Sequence, residues 1–144
     1  MKTINPYLGF DGNCREAMTF YKTCFGGELQ FQTFGESPMA SQCPAGKEGQ
    51  ILHSSLTGDN FLFMATDMTP PDGFQRGSEI SLAINFDTEA DIRKVYALLG
   101  EQGKVIDDLK ESFWGSLFGV VQDRFGKVWM LDFENKQQGD NPST

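Results

Sequence analysis

The stretch "GNCREAMTFYKTCFGG", residues 12–27, has the pattern of an amphipathic helix and gives the first indication of the fold. Its apolar residues recur three and four positions apart, a spacing that places side chains on one helix face, namely Ala17, Phe20, Tyr21, Cys24 and Phe25. Asn13 suits the N-cap, with Glu16 completing a capping box. Gly26 and Gly27 suit a left-handed cap at the other end. We therefore predict a helix whose apolar side packs on a sheet.

The elements around this helix occur twice in the chain. Strands are predicted before and after the first helix, at residues 4–10, 28–34, 50–56 and 60–66. A second helix is predicted at 88–103, where Thr88 suits the N-cap. Its flanking strands are expected at residues 79–86, 104–109, 117–122 and 127–133. The segment 67–77 is rich in Pro and Gly and forms the predicted joint.

This repetition predicts an α+β fold built from two βαβββ modules. Each half is small for a stable core of its own, so we predict one domain, residues 1–135, in which the halves pack together. The two sheets would form a curved mixed sheet shaped like a cup, with the helices outside. The modules would span about residues 1–68 and 78–135, and residues 136–144 would form a flexible tail.

Composition and charge exclude several classes of function. The 144 residues carry a net charge of −8 without a Lys/Arg cluster, which disfavours binding to nucleic acid. No apolar run approaches the ~20 residues that a membrane-spanning helix needs. The N-terminus lacks a signal-peptide pattern, so we expect a cytoplasmic protein. The 3 cysteines are an odd number without a Cys-x-x-Cys motif, which argues against a disulfide framework or a thiolate zinc site.

Motifs at both ends of the chain resemble a known family. Near the start they are Pro6-Tyr7-Leu8, Gly12-Asn13, Ala17-Met18, Phe20-Tyr21 and Phe25-Gly26-Gly27-Glu28. Near the end they are Phe113-Trp114, Phe118-Gly119, Asp123, Phe125-Gly126 and Trp129-Met130. These motifs resemble the PhnB-like branch of the vicinal oxygen chelate superfamily, which includes glyoxalase I, bleomycin resistance proteins and extradiol dioxygenases. The resemblance implies paired βαβββ modules around a cup-shaped cavity, and a homodimer, but it fixes no reaction.

Metal-dependent members of the superfamily hold one divalent ion in the cup, and the resemblance places the ligand positions at Asn5, Met64, Glu79 and Met130. Only Glu79 is a strong ligand for a hard cation, because the methionine thioether prefers soft metals. We therefore predict no metal at the usual site. The branch often carries a label resembling a demethylubiquinone methyltransferase, but the sequence has no Gly-rich loop for a nucleotide-like cofactor, so no cofactor is predicted.

Strand alternation predicts which other side chains face the cup. Leu52, Leu56 and Ile80 suit the helix side of their strands. The residues expected to face inward are then His53, Ser55, Glu79, Met130 and Asp132. Of these, His53, Glu79 and Asp132 form an alternative set that could hold a divalent ion weakly or supply an acid–base pair.

His53 is the single histidine of the chain and has two interpretations. Because imidazole titrates near neutral pH, the side chain suits a general base or a hydrogen-bond partner of a substrate. Alternatively, it is a half-buried side chain bonded to a neighbouring hydroxyl group, such as that of Ser55.

The aromatic stretch "ESFWGSLFGVVQDRFGKVWML", residues 111–131, also has two interpretations. Residues 123–126 suit the turn of a hairpin, in which Phe118, Val120, Trp129 and Leu131 would face the core. Phe113 and Trp114 precede it in a Gly-containing loop, where they could either stack on a ligand at the mouth of the cup or anchor the loop.

Two functional hypotheses follow. The first is a homodimer that binds a small organic molecule in the cup, lined by Tyr7, His53, Ser55, Met64, Glu79, Phe113, Trp114, Met130 and Asp132. The second is a lyase, isomerase or transferase in which His53 and Glu79 are the catalytic acid–base groups, with or without a weakly held divalent ion.

Overall fold

The first unit, Met1–Gln75, contains one helix on a four-stranded sheet. The structure is a computed structural model and describes residues 3–43 and 45–134. The elements of this unit are β1 (Tyr7–Gly9), α1 (Cys14–Phe25), β2 (Glu28–Thr33), a short 3-10 helix (Ala40–Gln42), β3 (Ile51–Thr57) and β4 (Leu62–Thr66). The strand order is β1-β4-β3-β2, with β1 parallel to β4 and the other pairs antiparallel.

The second unit, Arg76–Thr144, repeats this plan. Its elements are β5 (Leu82–Phe86), α2 (Glu89–Gly100), β6 (Lys104–Glu111), β7 (Ser116–Gln122) and β8 (Val128–Glu134). The order β5-β8-β7-β6 has the same parallel and antiparallel pairs. The predicted α+β fold of two βαβββ modules is therefore confirmed. The shared cup stays a prediction, and the predicted tail lies outside the described residues.

The apolar face of α1 forms the core of the first unit. Tyr21 is fully buried, and its ring meets Phe63 of β4 edge-to-face, with centroids 5.8 Å apart. The buried residues of this helix are Cys14, Ala17, Met18, Phe20, Tyr21 and Cys24. They cover one side of the sheet, where Ile51, Leu56 and Ala65 are also buried, so the opposite side of the sheet is the open face of this unit.

The core of the second unit has the same origin. Ile92, Val95 and Leu99 recur at helical spacing on α2 and are buried. Against them lie the buried strand residues Leu117, Val121, Trp129 and Leu131. The prediction that Trp129 and Leu131 face the core is therefore correct.

The two helices begin differently. Thr88 caps α2 as predicted, since its hydroxyl oxygen accepts a hydrogen bond of 3.1 Å from the Asp91 N–H. The predicted cap of α1 is wrong, because the Asn13 side chain makes no capping hydrogen bond. The acceptor is instead Asp67, whose Oδ1 takes the N–H groups of Gly12 and Cys14 at 2.9 and 3.0 Å.

The end of α1 is partly as predicted. Gly26 has a positive φ of 73°, which suits glycine, but its ψ of −162° is not that of a left-handed helical cap.

Two strands are shorter than predicted. Instead of spanning 79–86, β5 begins at Leu82, opposite Trp129. If the register continued backwards, Glu79 would lie opposite Gly126, which belongs to the β7–β8 turn and offers no strand partner. Glu79 therefore precedes the strand, and Ile80 is 81% exposed rather than on a core face. The first strand is likewise reduced from 4–10 to Tyr7–Gly9.

The core face of β7 also differs from the prediction. Leu117, Gly119 and Val121 are buried, whereas Phe118 and Val120 alternate with them and are half-buried on the other face. The reason is Gly119. A Cβ at this position would lie 3.1 Å from the Tyr96 ring and the Leu109 Cα, so the core face is tight here and suits a glycine better than a bulkier residue.

Candidate functional site

The open face of the first sheet carries most of the predicted polar candidates. On β3, Ser54 is buried, and its hydroxyl oxygen lies 3.5 Å from the Cys14 Sγ of α1. Because successive strand residues point to opposite sides, His53 and Ser55 lie on the open face. Both are half-buried, so they retain access to solvent.

A hydrogen bond on this face joins two residues of the predicted set. The Tyr7 hydroxyl lies 3.1 Å from His53 Nδ1, and the two rings meet edge-to-face with centroids 5.7 Å apart. Tyr7 is 53% exposed. The partner of His53 is thus the hydroxyl of Tyr7 on β1, not that of Ser55 as the sequence suggested. Within the described ranges, Tyr7 is the one hydrogen-bond partner of the His53 ring.

Further side chains extend this group in one row across the sheet. Tyr7 is opposite Met64, Met64 is opposite Ser55, and Ser55 is opposite Gln30. Gln32 lies opposite His53 in the same way. We call the group the polar face, comprising Tyr7, Gln30, Gln32, His53, Ser55 and Met64. The sequence analysis missed the two glutamines, although their alternation with apolar residues in "ELQFQT" indicates a common face.

The open face of the second sheet is different in character. Met130 and Asp132 of β8 are half-buried on the side opposite to buried Leu131. Met130 lies opposite Val120, and Asp132 lies opposite Phe118. Apolar and aromatic side chains therefore stand here beside polar ones, since Asp107 lies opposite Val120 and Asn85 lies opposite Asp132.

An exposed aromatic group adjoins Phe118. The rings of Phe113 and Trp114 are nearly perpendicular, with an interplanar angle of 89° and centroids 4.8 Å apart. Trp114 also meets Phe118 at 69°, with centroids 5.5 Å apart. Phe113 is 97% exposed, so it does not anchor the loop. We call Phe113, Trp114, Phe118 and Asp132 the aromatic face.

The loop that carries these rings is held at its base. The Ser112 N–H and hydroxyl both donate to the Ser116 carbonyl, at 2.7 and 2.9 Å. The Ser116 N–H donates back to the Ser112 hydroxyl at 3.2 Å, and Gly115 between them has a φ of 90°. The short loop is thus closed by its own hydrogen bonds while the aromatic side chains stay exposed.

The sequence motifs and the fold together identify the family. A family model described as 3-demethylubiquinone-9 3-methyltransferase matches residues 2–131. The chain belongs to this family. Its members include the PhnB-like proteins, and structures of the glyoxalase/bleomycin resistance/dioxygenase family share the α+β fold. The resemblance given by the sequence motifs is therefore confirmed.

Several relatives of this PhnB-like family resemble the chain over nearly its whole length. The Escherichia coli protein YjdN is 29% identical over 144 residues, covering 93% of this chain and 97% of YjdN. The structure of PA1353 from Pseudomonas aeruginosa is 36% identical with a TM-score of 0.84, covering 93% of this chain and 98% of that protein. The PhnB protein of Bacillus cereus is 27% identical with a TM-score of 0.75, covering 92% and 99%.

The residues at the superfamily's metal positions do not fit a hard divalent ion. Met64 and Met130 are half-buried on the open faces of their sheets, and their thioethers are poor ligands for Mg²⁺, Mn²⁺ or Zn²⁺. The Asn5 amide donates to the Thr3 hydroxyl at 3.1 Å, and Glu79 is exposed before β5. In the part of the chain that the structure describes, no three His, Cys, Asp or Glu side chains form a metal-binding group.

A second implied group is the methyl-donor cofactor of a methyltransferase. Proteins often hold nucleotide-like cofactors with N–H groups where a strand turns into a helix. One such N–H group is engaged at the start of each helix, that of Cys14 by Asp67 and that of Asp91 by Thr88. The absence of such a cofactor stays a prediction.

The remaining findings concern His53, Glu79 and Asp132. His53 belongs to the first unit, whereas Glu79 and Asp132 belong to the second, on the segment before β5 and on β8. Their joint use as a metal or acid–base set stays a prediction.

Among the described residues, no helix is both long and apolar enough to cross a membrane.

Proposed function

We propose that this PhnB-like protein binds a small organic molecule on the polar face of its first sheet. The observation that carries this proposal is the hydrogen bond between the Tyr7 hydroxyl and His53 Nδ1. It links two partly exposed side chains from different strands on a face that no helix of the unit covers. Such a pair is oriented before a ligand arrives, which lowers the entropy cost of binding.

The chemistry of this pair suggests what the ligand contains. A neutral imidazole has one donor and one acceptor nitrogen, so Nε2 can donate when Tyr7 donates to Nδ1, and accept when the roles are reversed. The Tyr7 oxygen also retains acceptor capacity. A hydroxyl or carbonyl group therefore suits this position. Ser55 and Gln30 in the same row add polar groups, and Met64 adds an adaptable apolar surface.

The proposal includes binding without a metal. Its support is the pair of methionines at two of the superfamily's four ligand positions, where soft thioethers replace the oxygen and nitrogen donors that hard cations require. A weakly held divalent ion belongs to the alternative. The cytoplasmic location and the homodimer expected earlier also stay predictions, and a light-scattering mass of twice 16.0 kDa would support the dimer.

A second candidate function is catalysis, because the same hydrogen bond would orient His53 as a general base. The enzyme would be a lyase, isomerase or transferase, with Glu79 as the partner acid. Turnover of a bound compound that disappears in both His53→Phe and Glu79→Gln would favour catalysis. Binding without turnover would favour the first candidate.

A thermal-melting screen with hydroxyl- and carbonyl-containing compounds tests the binding proposal. A ligand of the folded protein raises the melting temperature because it stabilises by RT ln(1 + [L]/Kd). For a compound that binds, we expect Tyr7→Phe to weaken affinity roughly three- to tenfold, the effect of one hydrogen bond. His53→Phe should weaken it further.

The matched control is Tyr96→Phe, which removes a hydroxyl group from α2 in the second unit and should leave affinity unchanged. Every bound compound retaining full affinity in both Tyr7→Phe and His53→Phe would rule out the polar face as the binding site.

A further inference from the structure

The aromatic face of the second unit is exposed to an extent that the fold does not require. Phe113 is 97% exposed and Trp114 is 53% exposed. Within residues 3–43 and 45–134, the ring contacts of Phe113 and Trp114 are with each other and with Phe118. Exposing large aromatic rings has a cost in water, so a cluster of this kind indicates a surface that binds something.

The ring geometry favours a compact group over a flat one. The planes of Phe113 and Trp114 meet at 89°, and those of Trp114 and Phe118 meet at 69°. Rings in such edge-to-face contact stand at a corner and present faces in different directions, so exposed rings of this kind can contact a rounded group from more than one side. This arrangement is typical of sites for alkylated ammonium groups, which are attracted by the negative faces of aromatic rings.

The charges near the corner favour a cation. Asp132 lies directly opposite Phe118, and side chains so paired have Cβ atoms roughly 5 Å apart. Lys110 lies opposite Phe118 on the other side, but its Nζ is 3.6 Å from the Asp107 Oδ1, which offsets its charge. The whole chain also has a net charge of −8. An anionic ligand would therefore be repelled, whereas a cation would be attracted.

We propose that Phe113, Trp114, Phe118 and Asp132 bind a methylated ammonium group of a small molecule. The rings contact the methyl groups, and the carboxylate balances the positive charge. The site uses none of the residues of the polar face, so it stands whether or not that face binds a ligand.

Choline is a suitable probe, because 3,3-dimethyl-1-butanol has the same shape without the charge. The chain has 2 tryptophans, and Trp129 is 3% exposed with its indole N–H bonded to Asp123, so Trp114 should report binding by its fluorescence. We expect a saturable change with choline and at least fivefold weaker binding of the neutral compound. Equal affinity for both compounds would overturn the proposal.

Variants locate the site. Asp132→Asn keeps the shape of the side chain and should weaken choline binding about fivefold, whereas Asp59→Asn on an exposed turn of the first unit should not. Trp114→Phe should abolish the fluorescence change. Tyr7→Phe should leave choline affinity unchanged, which separates this site from the polar face.

Asp132→Asn and Asp59→Asn should both melt like the wild type, which a melting curve checks before binding is measured. Unchanged choline affinity in a folded Asp132→Asn, the same loss in Asp59→Asn, or the absence of any saturable signal would overturn the assignment.

Discussion

The two units share a strand order and the same parallel and antiparallel pairs, yet corresponding positions on their open faces differ. In the first sheet, one row across the strands holds Tyr7, Met64 and Ser55. In the second sheet, the same row holds Ala83, Met130 and Val120. Two residues before Ser55 stands His53, and two residues before Val120 stands Phe118. One face is therefore suited to hydrogen bonding and the other to aromatic contact.

This difference shows which part of the module carries the fold and which part is free to vary. On the helix side, both units bury apolar residues with the same alternation, because each sheet needs a covered face. On the open side, no helix of the unit packs, so the side chains can change without loss of the core. The fold fixes where these side chains stand, and their chemistry is set independently in each unit.

The largest expected effect on stability concerns two buried aspartates, one in each unit. Asp67 accepts N–H groups from Gly12, Cys14 and Ile51, which are 55, 53 and 16 residues away in sequence. Asp123 accepts the N–H groups of Phe125 and Lys127 and the indole N–H of Trp129, which lie within 6 positions of it in sequence. The first carboxylate joins distant segments, and the second organises its own turn.

We expect Asp67→Ala to cost about 3–5 kcal/mol, because it leaves three N–H groups without an acceptor in two segments that are distant in sequence, the start of α1 and the start of β3. Asp123→Ala should cost less, about 2–3 kcal/mol, since a single turn can relax. Urea unfolding measures both values. Asp67→Asn, which keeps one acceptor oxygen, should fall between wild type and Asp67→Ala. An equal or larger loss for Asp123→Ala would contradict the distinction between long-range and local support.

Asp67 also shows why parts of the structure escaped prediction. Helix positions followed from apolar spacing, and the two-module plan followed from its repetition. The start of α1 did not, because the local candidate Asn13 was replaced by a carboxylate 53 residues away from Cys14. Rules for helix capping consider residues that are close in sequence, whereas this contact depends on where β4 ends in the fold.

The candidate site has the same limit. Alternation along β3 placed His53 and Ser55 on one face, but it did not indicate that Tyr7, 46 residues away, bonds to His53. That contact depends on the parallel register of β1 with β4, and the sequence of neither strand alone specifies this register. For Glu79, the pattern suggested a strand residue, and the turn at Gly126 removed its partner. A short alternation of apolar and polar residues predicts which face of the sheet a residue occupies better than it predicts where the strand begins or ends.

A second test compares the helix-side positions of Ser54 and Gly119, which occupy equivalent places on β3 and β7. A Cβ at Gly119 would lie 3.1 Å from both the Tyr96 ring and the Leu109 Cα. Gly119→Ala should therefore destabilise the protein by about 1–3 kcal/mol, the usual cost of overpacking.

The control is Gly49→Ala, where a Cβ would meet no atom within 4 Å, so little change is expected. Measured free energies of unfolding that are the same for the two variants would show that the space beneath β7 is not filled by Tyr96.

The smallest expected effect concerns Tyr96 itself. Burial raises the pKa of its hydroxyl, and the charges of Asp108 and Asp107 add to this, while a backbone hydrogen bond at Leu109 acts in the opposite direction. An unfolded tyrosine has a pKa of about 10. Below that pH both states are protonated, and the contribution to stability is constant. Above it, the unfolded state ionises first, so stability falls as the pH rises through the raised pKa of the folded state.

Tyr96→Phe removes this titration and should make stability above pH about 10 decline less steeply than in the wild type. Urea unfolding of both proteins across that range measures the difference, since the other groups titrate in both and cancel. If stability declined with pH equally in the wild type and in Tyr96→Phe, the pKa of Tyr96 would be the same in the folded and the unfolded chain. Burial in the folded protein would then not raise that pKa.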